Sequence, residues 1–340
     1  MTERQLLEAS RDGDEDAFGR LVDSHRTGLY VHCYRMLGSP QDAEDALQEA
    51  LLRAWRGLPR FQGRSSLRSW LYTIATNASL RAIERRPQRV LPIDHGPPTD
   101  PHDDPGIPLT ESIWIEPLPD AALDAVDHGA TPEARYEQRE SVELAFIAAL
   151  QLLPARQRAV LILRDVLGFS GEEVAAALEA TPASVYSALQ RAHKTVDERL
   201  PARSQQATLR ALDDAALRAI VDGYVDAWDR GDVDTLAAML TDDATLSMPP
   251  HSTWYRGREA VAGFLARHPM DGLRRWLTVP TRANGQLAFA QYRLAPQDGA
   301  EGPHSITVIS VRGSQIEAIT AFLMPELLER FGLPAQAPAR

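Results

Sequence analysis

The chain has 340 residues and a net charge of −11, with 44% hydrophobic and 24% charged residues. This length predicts two or three domains, and this composition excludes a collagen-like, a wholly disordered or a disulfide-scaffolded protein. The single cysteine, Cys33, excludes an internal disulfide and a zinc finger, so we expect a reducing compartment and neither a metal nor a cofactor.

Membrane insertion and export are also disfavoured. The longest uninterrupted apolar run, Leu144 to Leu150, is far shorter than the roughly 20 residues that cross a bilayer. Residues 1–20 are too polar for a signal peptide. We therefore expect a cytoplasmic protein that does not bind a membrane.

Residues 1–95 predict an all-helical domain. Apolar residues recur at helical spacing from Gln5 to Leu37, from Pro40 to Gly57 and from Ser66 to about Arg86. Ser39 before Pro40 is a typical helix start, and the carboxylates that follow suit the positive end of the helix dipole.

Residues 96–134 predict a linker. They hold 8 of the 24 prolines and nine carboxylates, with no lysine or arginine. Such a composition cannot bury enough apolar surface to fold alone. Because this segment carries most of the negative charge and its neighbours, 1–95 and 135–203, are close to neutral, the acidic total does not exclude a nucleic-acid partner.

Residues 135–203 predict a second all-helical domain. One helix is expected from Pro132 to Leu153, before Pro154, and another from Arg156 to Leu167, before Gly168. These two helices lead directly into a tighter pair.

That pair has the features of a helix-turn-helix. Ser170 and Glu173 form a capping box that opens one short helix, and Thr181 with Pro182 opens a second that runs to about Leu200. Two such helices joined by a turn of three or four residues, with polar and basic side chains on the outer face of the second, are typical of DNA-binding modules. An ordinary helix pair with a solvated face gives the same pattern, so the motif alone leaves DNA binding open.

Residues 204–340 predict an α+β domain. Helices are expected from Asp213 to Asp229, from Val233 to Leu240 and from Arg258 to His268. The predicted strands are Thr245 to Met248, Trp276 to Arg282, Leu287 to Leu294, Ser305 to Arg312 and Gln315 to Leu323. The expected fold class is therefore multidomain, with two all-α domains before one α+β domain.

Several stretches resemble the sigma-70 family of RNA polymerase sigma factors. DAEDALQEALLRAWR (Asp42 to Arg56) and RFQGRSSLRSWLYTIATN (Arg60 to Asn77) resemble sigma region 2. Leu153 to Val196 resembles region 4 of the extracytoplasmic-function (ECF) group. WIEPLPD (Trp114 to Asp120) and RFGLP (Arg330 to Pro334) resemble the subgroup, called SigG-like, that carries a C-terminal SnoaL-like domain.

The resemblance implies an ECF sigma factor that directs core polymerase to promoters and is not an enzyme. Its implied partners are promoter DNA and core RNA polymerase, through the largest-subunit coiled coil and the flap. The residues at the family's polymerase-binding positions are Asp42, Asp45, Gln48 and Glu49. Those at the minus-10 positions are Phe61, Arg64, Trp70, Tyr72, Asn77 and Arg81, and those at the minus-35 positions are Tyr186, Ser187, Gln190, Arg191 and Lys194.

Each set also has a plainer explanation. The carboxylates of residues 40–57 fit an ordinary solvated helix face, and Trp70 at helical spacing with its apolar neighbours fits a core position. Tyr186 and His193 depart from the family pattern, in which arginine or asparagine is frequent, so the phosphate contacts and sequence preference are in doubt. The acidic linker fits the basic polymerase channels that sigma linkers occupy, and it equally fits a plain spacer.

The C-terminal segment resembles the SnoaL-like (NTF2-like) cone of helices over a curved sheet around an apolar pocket. The candidate pocket residues are His251, Trp254, Tyr255, Arg256 and His268, and no pair among them has a spacing that demands catalysis. Such pockets serve enzymes and non-catalytic binders alike. We favour a regulatory domain, with room for a small-molecule ligand.

Two rival functions stay open at this point. One is a stand-alone helix-turn-helix regulator with an effector pocket, and the other is a SnoaL-like isomerase or cyclase with accessory helices. For the sigma factor we expect weak DNA binding by the free chain, because phosphate-driven affinity scales with the number of cations and both helical segments are nearly neutral.

Overall fold

The computed structural model describes residues 1–109, 113–124, 137–295 and 299–338. The chain divides into two compact units, which we call the helical unit and the C-terminal unit. The helical unit comprises residues 1–89, 122–141 and 145–200, and the C-terminal unit comprises residues 90–121, 142–144 and 201–340. Most of the described part of the predicted linker therefore belongs to the C-terminal unit.

The first part of the helical unit is a bundle of helices with side-chain caps. Its elements are α1 (Glu3–Arg11), α2 (Glu15–Leu37), α3 (Pro40–Gly57), a 3-10 turn (Leu58–Arg60) and α4 (Leu67–Ile83). Ser39 and Ser66 cap α3 and α4 by accepting hydrogen bonds from backbone N–H groups. The helical pattern from Gln5 to Leu37 corresponds to two helices: Gly13, at φ +95°, follows the end of the first, and Asp14 caps the second.

The single helix predicted from Pro132 to Leu153 is also interrupted. Residues 137–140 are helical, the chain turns at 141–143, and α7 runs Leu144–Leu152. The break arises because Asn284 Nδ2 donates to the Val142 carbonyl at 2.7 Å and Leu144 N–H donates to Gln286 Oε1 at 2.8 Å. Side chains distant in sequence thus bind backbone groups that a continuous helix would use. The predicted start at Pro132 lies outside the described residues.

The predicted helix-turn-helix is confirmed. α8 (Ala155–Leu161) continues as a π-turn (Ile162–Val166), and α9 (Gly171–Ala177) and α10 (Pro182–Asp197) follow. Both capping boxes are present: Ser170 Oγ accepts from the N–H of Glu173 at 3.2 Å, and Thr181 caps α10 in the same way. Local sequence suffices for these caps because donor and acceptor are three residues apart.

The C-terminal unit wraps helices around a six-stranded mixed sheet. Its helices are α11 (Gln205–Ala211), α12 (Asp214–Arg230), α13 (Val233–Ala238), α14 (Arg258–Arg267) and α15 (Leu327–Arg330). Its strands are β1 (Leu240–Ser247), β2 (Trp254–Arg256), β3 (Arg275–Ala283), β4 (Gln286–Ala295), β5 (Gly299–Arg312) and β6 (Gln315–Phe322). The spatial order is β2-β1-β6-β5-β4-β3, and β1 and β6 pair in parallel.

Local signals and packing account for this sheet. Asn284 and Gly285, at φ +56° and +71°, form the β3–β4 turn, where two positive φ angles suit the twist of a hairpin. In the core, the ring of Tyr224 on α12 stacks on Phe289 of β4 at 4.2 Å. Strand β2 was not predicted, because three residues are too short to show alternation.

Residues 96–109 and 113–121 of the predicted linker are ordered within the C-terminal unit; the short helix α5 (Pro92–His95) precedes them and α6 (Ala121–Asp124) follows. Trp114, Ile115 and Leu118 are almost fully buried. Leu118 N–H donates to Asn284 Oδ1 at 2.8 Å, and Gly285 N–H donates to the Asp120 carboxylate at 2.7 Å. Neither earlier interpretation of the linker, a segment that occupies polymerase channels or a plain spacer, predicts this packing. The segment folds by burying its few apolar residues on the C-terminal domain.

Residues 96–109, which we call the strap, lie along the same unit. Thr99 N–H donates to the Trp254 carbonyl at 2.8 Å, and Leu109 N–H donates to the Pro250 carbonyl at 2.9 Å. Trp254 Nε1 donates to the Gly96 carbonyl at 2.8 Å. The strap is therefore held by backbone hydrogen bonds that do not depend on its acidic side chains.

Candidate nucleic-acid and partner surfaces

An exposed stripe runs along α3. Asp45, Gln48, Glu49 and Leu52 are spaced three and four residues apart, so they lie on one side of the helix, and all are exposed. A hydrogen bond from Arg53 lowers the pKa of Glu49, which keeps that carboxylate ionised. Leu52 is 51% exposed and was missed by the sequence analysis, although an apolar residue outside the buried face was a signal for it. Acidic and amide groups around an exposed leucine are complementary to a protein partner that has basic groups around an apolar patch.

Asp42 does not belong to this stripe. Its carboxylate is buried and accepts from Arg89 Nη2 at 2.8 Å and from Arg89 Nε at 3.1 Å, and it also pairs with Arg86. The assignment of Asp42 to polymerase binding is corrected: the residue joins α3 to the segment after α4. This contact was not visible in the sequence because the partners are more than 40 residues apart.

The candidate minus-10 residues divide into two groups. The rings of Phe61 and Trp70 pack at a tilt of 34° with their centroids 4.8 Å apart and are partly exposed, and Arg64 and Arg81 are exposed. Asn77 is half-buried. These five side chains lie on α4 and the loop before it.

Tyr72 is buried instead, which corrects its predicted role as a surface for an unstacked base. Its ring meets His32 edge-on at 5.4 Å and Phe169 at 5.6 Å. Burial raises the pKa of Tyr72. The residue packs the interior of the helical unit.

α4 also contacts the helix-turn-helix. Arg68 Nη2 donates to the Leu167 carbonyl at 2.9 Å, and its guanidinium lies 4.5 Å from the centre of the Phe169 ring. Ser69 Oγ donates to Glu173 Oε1 at 2.9 Å. The sequence did not predict this contact, which engages Arg68 and Ser69 in the first turn of α4.

The outer face of α10 carries the candidate minus-35 residues. Tyr186, Ser187, Gln190, Arg191 and Lys194 are all exposed. Val185 and Ala192 point into the core and fix this orientation. His193 Nε2 lies 2.5 Å from the Asp165 carboxylate, so its ring is engaged within the unit.

The C-terminal unit contains a cavity of about 190 Å³. His251 and His268 line it, whereas Trp254, Tyr255 and Arg256 do not. The assignment of Trp254, Tyr255 and Arg256 to the pocket is therefore corrected. β2 places Trp254 under the strap with Arg256 stacked on it at 5.0 Å, and Tyr255 stacks on Phe264 at 4.6 Å.

One end of the cavity is polar. Gln291 is 2% exposed; its Oε1 accepts from Ser305 Oγ at 2.9 Å and Thr307 Oγ1 at 3.2 Å, while its Nε2 has no hydrogen-bond partner. His304 Nδ1 is likewise buried without a partner. Burial, with Arg293 and Arg274 nearby, lowers the pKa of His304 to about 4. The sequence analysis missed both residues, although a glutamine on the buried side of an apolar strand was a signal.

The described residues contain no cluster of three or more histidine, cysteine or acidic side chains that could hold a metal. No helix within the described ranges has the length and apolarity needed to cross a membrane.

In comparisons with known proteins, three family models match separate parts of the chain. Family models match as "Sigma-70 region 2" at residues 21–88, "Sigma-70, region 4" at residues 143–196 and "SnoaL-like domain" at residues 221–319. The ECF RNA polymerase sigma factor SigG of Mycobacterium tuberculosis is 38% identical over 325 residues, which cover 95% of this chain and 85% of that protein. The ECF RNA polymerase sigma-E factor of Escherichia coli is 29% identical over 205 residues, covering 59% of this chain and 95% of that protein.

The fold has a solved counterpart. The crystal structure of the Mycobacterium tuberculosis extracytoplasmic function sigma factor SigJ matches with a TM-score of 0.58 at 23% identity. The match covers 92% of this chain and 98% of that one.

Proposed function

This chain belongs to the extracytoplasmic-function sigma factors of RNA polymerase, and we propose which of its surfaces bind polymerase, promoter DNA and a regulatory signal. As a sigma factor it directs core polymerase to promoters and is not an enzyme. The rival functions, a stand-alone regulator and an isomerase or cyclase, are set aside with that membership. We place its action in the cytoplasm, where bacterial polymerase works.

The stripe on α3 is the proposed contact with the coiled coil of the largest polymerase subunit. Asp45, Gln48 and Glu49 supply polar and charged groups, and Leu52 supplies an apolar centre that becomes buried on binding. Region 4 is proposed to contact the flap. Charged groups of the stripe set orientation and association rate, and Leu52 contributes most to the lifetime of the complex.

Promoter DNA is proposed to meet α4 and α10. Phe61 and Trp70 offer aromatic surface to an unstacked base, with Asn77 as a polar contact and Arg64 and Arg81 for phosphates. The face of α10 suits the major groove of the minus-35 element, where Arg191 pairs with guanine and Gln190 with adenine. Tyr186, Ser187 and Lys194 complete this face, Lys194 through phosphate.

The contact between α4 and the helix-turn-helix supports a closed free chain. Arg68 contacts Leu167 and Phe169, and Ser69 contacts Glu173, so the first turn of α4 is held against the helix-turn-helix. Core polymerase is proposed to separate these elements. This agrees with weak DNA binding by the free chain.

The observation that carries the proposal is the exposed acidic stripe with Leu52 at its end, on a helix that matches sigma region 2. The test is run-off transcription with purified core polymerase. Leu52→Asp is expected to lower the transcript yield at least tenfold at limiting factor, because a buried unpaired carboxylate would oppose docking. Ile93→Asp, an exposed apolar residue of the C-terminal unit, is the matched control.

Equal yields from the Leu52 variant and the Ile93 variant would contradict the proposed docking surface. Failure of the unchanged chain to initiate on any template would contradict the sigma function itself.

The C-terminal unit is proposed to regulate initiation. It holds the strap, which lies between regions 2 and 4 in the sequence, and it contains a cavity of a size suited to a small molecule.

A further inference from the structure

The cavity of the C-terminal unit is large enough for one ring and a small substituent. Its volume is about 190 Å³. An apolar protein cavity of about 150 Å³ is known to hold a benzene molecule. The additional volume matches a group of two or three heavy atoms.

The walls are apolar and aromatic around most of the cavity. Trp228, Trp276 and Phe264 form part of the lining, together with aliphatic side chains from β1 and β6. The indole N–H of Trp276 donates to the Pro269 carbonyl at 2.7 Å, so this donor is already used and the ring offers apolar surface to a ligand. An apolar ring fits most of these walls, although Trp228 Nε1 is also buried without a hydrogen-bond partner.

The polar end favours a hydrogen-bond acceptor. Gln291 Oε1 is used by two hydroxyl groups, which fixes the amide so that its N–H donors are the groups left over. A buried amide donor without a partner is costly, and a ligand acceptor would relieve that cost. His304 Nδ1 adds a second buried group at the same cavity that lacks a partner.

The charge of the lining favours an anion. Arg274 and Arg293 line the cavity, and none of the described lining residues is a carboxylate. Arg274 already donates to Asp271 at 2.5 Å, so the arginines contribute a positive field and the amide contributes the directed hydrogen bond.

Resting on the proposed regulatory role of this unit, we propose that the cavity binds a small monocyclic carboxylate, with its ring against the wall that Trp228, Trp276 and Phe264 form and its carboxylate at Gln291 and His304. The cavity reaches the strap through Pro105, whose carbonyl accepts from Thr253 Oγ1 at 2.5 Å and lies 3.3 Å from His251 Nδ1. The ligand thus contacts the segment that joins the two sigma regions in sequence.

The experiment measures binding to the full chain without polymerase, by titration calorimetry and saturation-transfer NMR. The probes are benzoate, cyclohexanecarboxylate and benzyl alcohol. Both carboxylates are expected to bind at least tenfold more tightly than the alcohol; the ratio between the two carboxylates shows whether the ring must be aromatic. Hydrogen exchange of residues 96–109 is expected to slow when benzoate is bound.

Variants locate the site. Gln291→Met keeps the side-chain volume and removes the donor, and is expected to weaken benzoate binding about tenfold with little change for benzyl alcohol. Gln291→Glu is expected to abolish benzoate binding by repulsion, and Ala321→Leu by filling the cavity. Gln315→Met, an exposed amide on β6, is the matched control and is expected to bind like the unchanged chain.

Three outcomes would overturn the proposal: no saturable binding of any probe, equal affinity for benzoate and benzyl alcohol, or benzoate binding unchanged in both Gln291→Glu and Ala321→Leu. None of these three outcomes bears on the sigma function, because run-off transcription with core polymerase tests that function separately. A transcription failure with normal benzoate binding would instead contradict the sigma assignment.

Discussion

Asp42 shows how a charged residue in a helix can serve the fold while its neighbours serve a surface. Two arginines from the segment after α4 meet its carboxylate, and Arg89 is itself buried. Removing one partner of a buried ion pair leaves the other without compensation, which costs more than the pair contributes. Asp45, one turn along, is exposed and 3.6 Å from Arg86.

The substitution Asp42→Asn is therefore expected to destabilise the helical unit by about 3 kcal/mol. Asp45→Asn is expected to change stability by less than about 0.5 kcal/mol, because exposed ion pairs contribute little. Urea unfolding followed by circular dichroism checks both values. Equal effects of the two substitutions would show that Asp42 is not the internal anchor.

Among the elements, those with local signals were predictable from the sequence and those that depend on distant partners were not. The capping boxes at Ser170 and Thr181 involve residues three apart, and the structure has both. The break at 141–143 arises from Asn284 and Gln286, more than 140 residues away, so periodicity could not reveal it.

The same distinction applies to the site residues. The exposed face of α10 follows from its buried positions, Val185 and Ala192, which are seven residues apart and therefore lie on the same side of the helix. Tyr72 resembled a surface aromatic group because its partners, His32 and Phe169, come from two other parts of the helical unit. The resemblance to sigma factors indicated which helices contact DNA. Packing between distant parts of the chain determined which side chains of those helices are exposed.

For α10, Gln190→Ala and Lys194→Ala are expected to differ in kind. Loss of a base contact costs about 1–3 kcal/mol and relaxes the preference at one base pair, whereas loss of a phosphate contact weakens all sequences alike and lowers the salt slope by about 1. Holoenzyme binding to a set of minus-35 variants at several salt concentrations separates the two. Identical sequence profiles for both variants would contradict base readout by Gln190.

At the scale of the whole molecule, the free chain holds its own DNA-binding elements against each other within the helical unit. Arg68 and Ser69 on α4 bind Leu167 and Glu173 beside the helix-turn-helix. Exposed cation-π contacts and hydrogen bonds of this kind contribute about 1 kcal/mol each, so the contact is stable in isolation and weak enough for a partner to displace.

Replacing both Arg68 and Ser69 by alanine is expected to speed amide exchange about tenfold at 67–73 and at 167–173 in the free chain, because opening loses two stabilising contacts. Hydrogen exchange with mass spectrometry measures this directly. Arg64→Ala, an exposed arginine in the loop before α4, is the control and should leave the exchange unchanged. An unaltered pattern in the double variant would mean that other contacts keep the elements together.

Burial of Trp114, Ile115 and Leu118 on the C-terminal unit also bears on how such fused proteins can be dissected. Truncating the protein after residue 200 would remove the C-terminal domain and also expose Trp114, Ile115 and Leu118 of the linker to solvent. The truncated factor would therefore lose regulation and would also aggregate more readily.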